Sequence, residues 1–106
     1  IELLRRHGIA LAVASDLNPG TSPIPSLLTA LHMAVILFGL TAEEALLGVT
    51  YNAARALGRD DLGALAPGRR ADFTVWDIPD PALLTYQLGG LAPSACFVGG
   101  NEIRRD

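Results

Sequence analysis

The sequence predicts an α/β fold in which a helix and a buried strand are followed by more helices and then by short strands. Residues 9–15 form a continuous apolar run, Ile-Ala-Leu-Ala-Val-Ala-Ser, which is typical of a parallel strand buried on both faces. Residues 71–77 instead show alternation with β-branched and aromatic side chains. We therefore expect the first part to be the last βα unit of a larger sheet or barrel, and the last third to be a small β-rich appendage.

The chain opens on an amphipathic run that reads as the last two turns of a helix. Basic side chains, including Arg5 and Arg6, lie where they would face the negative end of that helix, and Gly8 follows as its stop. Such an opening, without an initiating Met, predicts a fragment of a longer protein. The predicted strand follows directly and places Asp16 at its carboxyl edge, where α/β folds and barrels position their active sites.

Two segments after Asp16 have clear local signals. Residues 17–25 contain three prolines and one glycine in nine positions, which predicts a loop. Residues 26–38 are apolar on nearly every side, which predicts a buried helix, and Gly39 ends it.

The helices that follow are marked by their caps and stops. Thr41-Ala-Glu-Glu44 has the pattern of a capping box, and the helix that it opens is expected to run to about Gly48. Residues 50–57 predict a further helix that closes at Gly58.

Weaker patterns are found near the end of the chain. Residues 81–88 predict one short helix, and residues 95–98 and 102–104 predict a hairpin around Gly99-Gly100-Asn101.

Composition excludes several classes of protein. A net charge of −3 without a basic cluster argues against a nucleic-acid partner. The single Cys96 excludes an internal disulfide and a Cys-based zinc site. The longest apolar stretch, residues 27–40, is too short and too polar to span a bilayer, so we expect no membrane segment and a cytoplasmic location. Half of the residues are hydrophobic, so we expect some of these side chains to contact further protein.

The candidate site is the loop that begins at Asp16. A carboxylate after a buried strand can bind a divalent cation or accept a proton from metal-bound water. The Pro19-Gly20 pair would hold the loop close, so that the amide of Asn18 faces the same pocket and Thr21 adds a hydroxyl. The residues alone leave an alternative open, in which Asp16 only caps the loop and Asn18 makes an Asx turn.

The stretch Ala14-Ser-Asp-Leu-Asn-Pro-Gly-Thr-Ser-Pro23 resembles the strand-8 loop of imidazolonepropionases, enzymes of histidine degradation in the amidohydrolase superfamily. The similarity continues through residues 40–46, 48–58 and 63–77. Its Pro-Gly-Arg-Arg-Ala-Asp-Phe part is similar to a tail of many amidohydrolases and identifies only the superfamily. The Asp-Leu-Asn-Pro-Gly-Thr part is what narrows the resemblance to the imidazolonepropionases within that superfamily.

The resemblance implies the C-terminal fragment of a distorted (β/α)8 metal-dependent hydrolase barrel together with part of a small β-sandwich domain. Residues 1–62 would supply the last barrel strand and the helices after it. Residues 63–106 would supply the C-terminal part of the β-sandwich. A homodimer is implied as possible for the full-length protein.

The resemblance also implies a chemistry. One zinc or iron ion would be held by a His-x-His pair after strand 1, a His after strand 5 and the Asp after strand 8. Asp16 matches that last ligand and would also be catalytic, while Asn18, Gly20 and Thr21 match loop positions that contact the substrate. The implied reaction is hydrolysis of the ring amide of 4-imidazolone-5-propanoate, which gives N-formimidoyl-L-glutamate.

The sequence departs from the family pattern in its histidines. It contains only His7 and His32 and no His-x-His pair. We expect His7 to lie at a helix C-terminus and His32 to be a satisfied packing residue, so that neither is a ligand. One carboxylate cannot hold a catalytic zinc, which needs about three protein ligands, so the fragment should be inactive alone.

Two alternatives to this reading stay open. Another cyclic amidase or aminohydrolase of the superfamily, such as a purine-type deaminase, would share the distal tail. A non-catalytic binding module derived from the barrel would lack the metal ligands altogether.

Overall fold

The computed structural model describes residues 1–103, in which five helices precede or interrupt a three-stranded antiparallel sheet. The helices are α1 (Glu2–Arg6), α2 (Leu27–Ile36), α3 (Ala42–Val49), α4 (Tyr51–Ala56) and α5 (Leu83–Tyr86). The strands are β1 (Phe73–Val75), β2 (Ala95–Val98) and β3 (Asn101–Glu102). The described chain is therefore α/β, as predicted, with four helices before the sheet and α5 between β1 and β2.

The predicted strand over residues 9–15 is wrong for the part of the chain that the structure describes. A strand needs a hydrogen-bonded neighbour, and the sheet contains only β1, β2 and β3, in that order. From residue 11 to residue 16 the side chains still alternate between half-buried and exposed, with the period of two of a pleated backbone. Residues 9–15 thus form a segment without a strand partner, which we call the unpaired segment.

The predicted burial of α2 is also wrong within residues 1–103. Ala30, Leu31 and Ala34 are buried on one side of the helix, whereas Leu27 and Ile36 are 45% and 59% exposed. The buried side packs against α3 and α5 and contributes to a small core, whose buried members are Leu31, Ala34, Leu40 and Ala45. Among the described residues only this side is covered, so Leu27 and Ile36 on the opposite side stay exposed.

The β-rich end confirms the predicted hairpin and its strand over Ala95–Val98, and it shortens the strand predicted over residues 71–77 to Phe73–Val75. Val98 pairs with Asn101, which therefore belongs to β3, and the turn consists of Gly99 and Gly100 alone. Both glycines have positive φ, 58° and 81°, as a tight two-residue hairpin turn requires. The strand predicted to end at residue 104 lies partly outside the described residues.

The predicted capping box opens α3 as expected. The hydroxyl of Thr41 accepts a hydrogen bond from the backbone N–H of Glu44 at 3.1 Å, and the Glu44 carboxylate accepts from the Thr41 N–H at 2.8 Å. Because both partners lie within one turn, the sequence alone was sufficient to predict this contact.

Arg5 of α1 binds the same carboxylate from a distant part of the chain. Its Nε and Nη2 donate to the two oxygens of Glu44 at 2.7 and 2.6 Å, and Nη2 also donates to the carbonyl of Gly39 at 2.8 Å. This bidentate pair and the N–H of Thr41 lower the pKa of Glu44 to about 2, with the Arg5 contribution the larger. The contact joins α1 to the start of α3.

We expect a titration of Glu44 by NMR to show this lowered pKa. Because the folded-state pKa lies below the ordinary value of 4.5, the stabilisation is complete above about pH 4.5 and is lost as the pH falls towards 2. Arg5→Ala should raise the pKa of Glu44, leaving only the Thr41 contribution. Arg6→Ala removes a neighbouring guanidinium that contacts Glu2 instead, and should leave the titration unchanged. A Glu44 pKa that stays at about 2 in Arg5→Ala would contradict this account.

Within residues 1–103, none of the helices reaches the length and apolar character needed to cross a bilayer.

Candidate functional site

Asp16 follows the unpaired segment with an unusual backbone conformation. Its φ is 51°, and it is the only non-glycine residue with a positive φ among those described. Aspartate is one of the few side chains that adopt this left-handed region readily, because its short polar group forms local hydrogen bonds. The side chain is exposed, so its carboxylate oxygens are accessible to a ligand. A strained backbone at an exposed carboxylate motivates a functional hypothesis for this position.

Asn18 organises the loop after Asp16 through its side-chain amide. Its Oδ1 accepts from the backbone N–H groups of Gly20 and Thr21 at 2.9 and 2.8 Å, and from the Thr21 hydroxyl at 3.3 Å. Its Nδ2 donates to the Asp16 carbonyl at 2.6 Å and approaches the Asp16 carboxylate at 3.5 Å. In the described structure Asn18 forms the Asx-type turn that the residues alone left open as an alternative, and its amide is engaged within the loop.

Ser22 closes the base of the loop. Its carbonyl accepts from the Asn18 N–H at 3.0 Å, and its half-buried hydroxyl donates to the Ser15 carbonyl at 2.6 Å. These two contacts hold the ends of the loop together on either side of Asp16. The sequence analysis did not identify Ser22, because a serine among prolines and glycines carries no signal beyond that of a loop.

The unpaired segment is held from its other side by the region of α3 and α4. The Val13 N–H donates to the carbonyl of Gly48 at 2.9 Å, and Asn52 Nδ2 donates to the carbonyl of Leu11 at 3.0 Å. No local pattern in the sequence points to this role of Asn52, because its partner Leu11 lies 41 residues earlier in the chain.

The structure brings the four predicted site residues, Asp16, Asn18, Gly20 and Thr21, together in one loop. Among residues 1–103, no group of three His, Cys, Asp or Glu side chains could hold a metal ion. His32 is not the satisfied histidine that the sequence predicted, since its buried Nδ1 has no hydrogen-bond partner in the described region.

A cavity of about 330 Å³ lies between α2 and the unpaired segment. It reaches Ser15 and Ser22 at the base of the loop, but Asp16 does not line it. Its wall is mainly apolar and includes Leu11, Val13, Ile24, Met33, Phe38 and Leu40. Such a lining suits apolar side chains better than a polar substrate, so we place the candidate chemistry at the exposed loop and not in this cavity.

Comparison with curated proteins found imidazolonepropionases among the relatives of this chain. An imidazolonepropionase of Ruegeria pomeroyi is 58% identical over 89 residues, covering 84% of this chain and 22% of the relative. Imidazolonepropionases of Pseudomonas aeruginosa (strain UCBPP-PA14) and Alteromonas mediterranea are 56% and 52% identical, covering 99% and 97% of this chain. The chain spans about a quarter of the length of these curated relatives, 26% and 25% for the last two.

The wider family is shown by a match that covers nearly the whole chain. The sequence model of the amidohydrolase family matches residues 1–103, which include the loop at Asp16, all five helices and the sheet. The chain belongs to the amidohydrolase family.

Proposed function

We propose that this chain is part of an imidazolonepropionase, which hydrolyses the ring amide of 4-imidazolone-5-propanoate to N-formimidoyl-L-glutamate. The identity of 52–58% with relatives of that name, over 84–99% of the chain, carries the proposal. In this proposal residues 1–62 belong to the end of a (β/α)8 barrel and residues 63–106 to a small β-sandwich domain. The unpaired segment would be the last barrel strand, which gains its strand neighbours from other parts of the protein.

The open faces of the described structure support such a completed barrel. Ile36, Leu37 and Phe38, at the end of α2, are between 59% and 65% exposed. Side chains of this kind, adjacent along the chain, form an apolar surface that a soluble protein ordinarily covers.

Asp16 would be one ligand of a zinc or iron ion. An exposed carboxylate is a suitable donor for either metal, and its left-handed backbone is held by the contacts of Asn18 and Ser22. The fit is limited to this one position. A catalytic zinc has about three protein ligands, so the others would come from outside residues 1–103.

The residues of the loop would then have distinct roles. When bound, the metal lowers the pKa of a water molecule, so that hydroxide is available near pH 7. A carboxylate oxygen of Asp16 would take up the proton of the attacking water and pass it to the ring nitrogen that leaves, as the C–N bond breaks. Asn18 would act mainly by holding Gly20 and Thr21 in place, and these two residues would lie against the substrate.

The proposal is tested on the complete gene product that contains this chain. We expect close to one zinc or iron per protein chain by elemental analysis, and steady turnover of 4-imidazolone-5-propanoate that a chelator abolishes and added metal restores. Deamination of a purine in place of this turnover would identify a different amidohydrolase. Absence of metal and of both activities would favour a binding module.

Two further properties are proposed from the resemblance alone. The complete protein would be a cytoplasmic enzyme, and it would form a homodimer. Cell fractionation and analytical ultracentrifugation test these two statements independently of the activity.

A further inference from the structure

The unpaired segment is attached to α3 and α4 by two hydrogen bonds on one edge. The N–H of Val13 and the carbonyl of Leu11 belong to alternate residues, so in a pleated backbone they point to the same side. The backbone carbonyl of Gly48 accepts from the Val13 N–H, and the side-chain amide of Asn52 donates to the Leu11 carbonyl. The side chain of Asn52 thus occupies the place that a backbone N–H of a neighbouring strand would take.

Gly48 makes this approach possible. It is buried, and a Cβ built on it would lie 2.8 Å from Val13 Cγ2 and 3.3 Å from the Leu11 carbonyl oxygen. The backbone of α3 therefore packs directly on the segment, and no other residue fits without displacing it.

The side chain of Asn52 does not cap the helix to which it belongs. It is the second residue of α4, a helix that has no side-chain cap, yet its amide donates to Leu11, 41 residues earlier in the chain. Hydrogen bonds of half-buried side chains to a distant backbone typically define how two elements are placed relative to each other.

We propose that Asn52 is a positioning residue for Asp16: by binding the Leu11 carbonyl, it fixes the segment whose end carries the metal-binding carboxylate. The proposal rests on the proposed function for the role of Asp16. Both attachments precede Asp16: Leu11 and Val13 are held by α3 and α4. Ser15, the residue directly before Asp16, is held by Ser22. Loss of the first attachment leaves the carboxylate free to move relative to its partners.

The test compares Asn52→Asp with Thr85→Val in the complete gene product. Asn52→Asp keeps the size of the side chain but turns the donor into an oxygen that repels the Leu11 carbonyl. Thr85→Val is a matched control, because it also removes one side-chain hydrogen bond to a carbonyl, the 2.8 Å bond to Ala82, at a buried position in α5.

We expect Asn52→Asp to weaken zinc binding, measured by competition with a chelator, by about tenfold or more and to lower kcat similarly, with a smaller change in KM. The amide of Val13 should exchange with solvent faster in this variant. Thr85→Val should keep the zinc affinity and the Val13 amide exchange rate of the unmodified protein. This should hold even if its melting temperature falls as far as that of Asn52→Asp.

Equal zinc affinity and kcat in the two variants, after correction for the fraction folded, would overturn the proposal. Unchanged Val13 exchange in Asn52→Asp would also overturn it. If the unmodified protein binds no divalent cation, the proposed function fails instead, and Val13 exchange still decides whether Asn52 holds the segment.

Discussion

Asp16→Asn in the complete protein should lower kcat for imidazolone propionate by roughly 100- to 10,000-fold, the usual range for loss of a group that transfers protons. An amide cannot accept the proton of the attacking water, and its neutral oxygen binds a divalent cation more weakly than a carboxylate. The backbone should be unaffected, because asparagine tolerates the φ of 51° as well as aspartate does. The substitution therefore tests the chemical role of the carboxylate without changing the fold.

Asp77→Asn is the control for this substitution. Asp77 is also exposed, and among the described residues it has no side-chain hydrogen bond or ion pair, so the same change of charge is made away from the loop. We expect this variant to retain its metal content and turnover. Near-normal turnover in Asp16→Asn, with the circular dichroism spectrum and melting temperature preserved, would refute the role of Asp16.

Gly63→Ala should produce the largest loss of stability among simple substitutions at glycine. Gly63 has a φ of 81°, and a Cβ there would lie 2.7 Å from the Thr50 carbonyl oxygen and 2.9 Å from Ala54 Cβ. The left-handed backbone costs about 1–2 kcal/mol for a residue with a Cβ. Overpacking adds about 1–3 kcal/mol, because the main contact is with backbone and cannot rotate away. Urea denaturation of the complete protein measures the sum.

Gly58→Ala separates these two costs. Its φ of 69° is similar, but a Cβ at Gly58 would meet nothing within 4 Å, so only the backbone term of about 1–2 kcal/mol remains. We expect Gly63→Ala to lower the free energy of unfolding clearly more than Gly58→Ala. Equal losses of unfolding free energy in the two variants would mean that the backbone around Gly63 and Thr50 shifts to accept the Cβ without an energetic cost.

Local signals predicted the helix ends and the hairpin turn well. The capping box of Thr41 and Glu44, the helix stop at Gly58 and the turn at Gly99 and Gly100 each involve residues within a few positions of one another. Their geometry follows from the allowed backbone angles and from short-range hydrogen bonds, so the sequence carries the necessary information. The sequence also predicted that Asp16, Asn18, Gly20 and Thr21 lie in one loop, because these residues are close together along the chain.

Contacts between distant residues could not be predicted in this way. The apolar run over residues 9–15 predicts a strand only if neighbours are present, and in the described chain α3 and α4 occupy one edge while no strand pairs with it. The one-sided burial of α2 depends likewise on which elements pack against it.

By itself, the sequence determined the helix caps and the hairpin turn, and it identified the loop that carries Asp16. Only the tertiary structure decided that Asn18 is engaged within that loop, that Arg5 binds Glu44, and that Asn52 holds the segment before the site. The physical reason is the separation along the chain between the residues that make each contact. A cap or a turn is completed within a few residues, whereas Arg5 and Glu44 are 39 positions apart and meet only after the chain has folded.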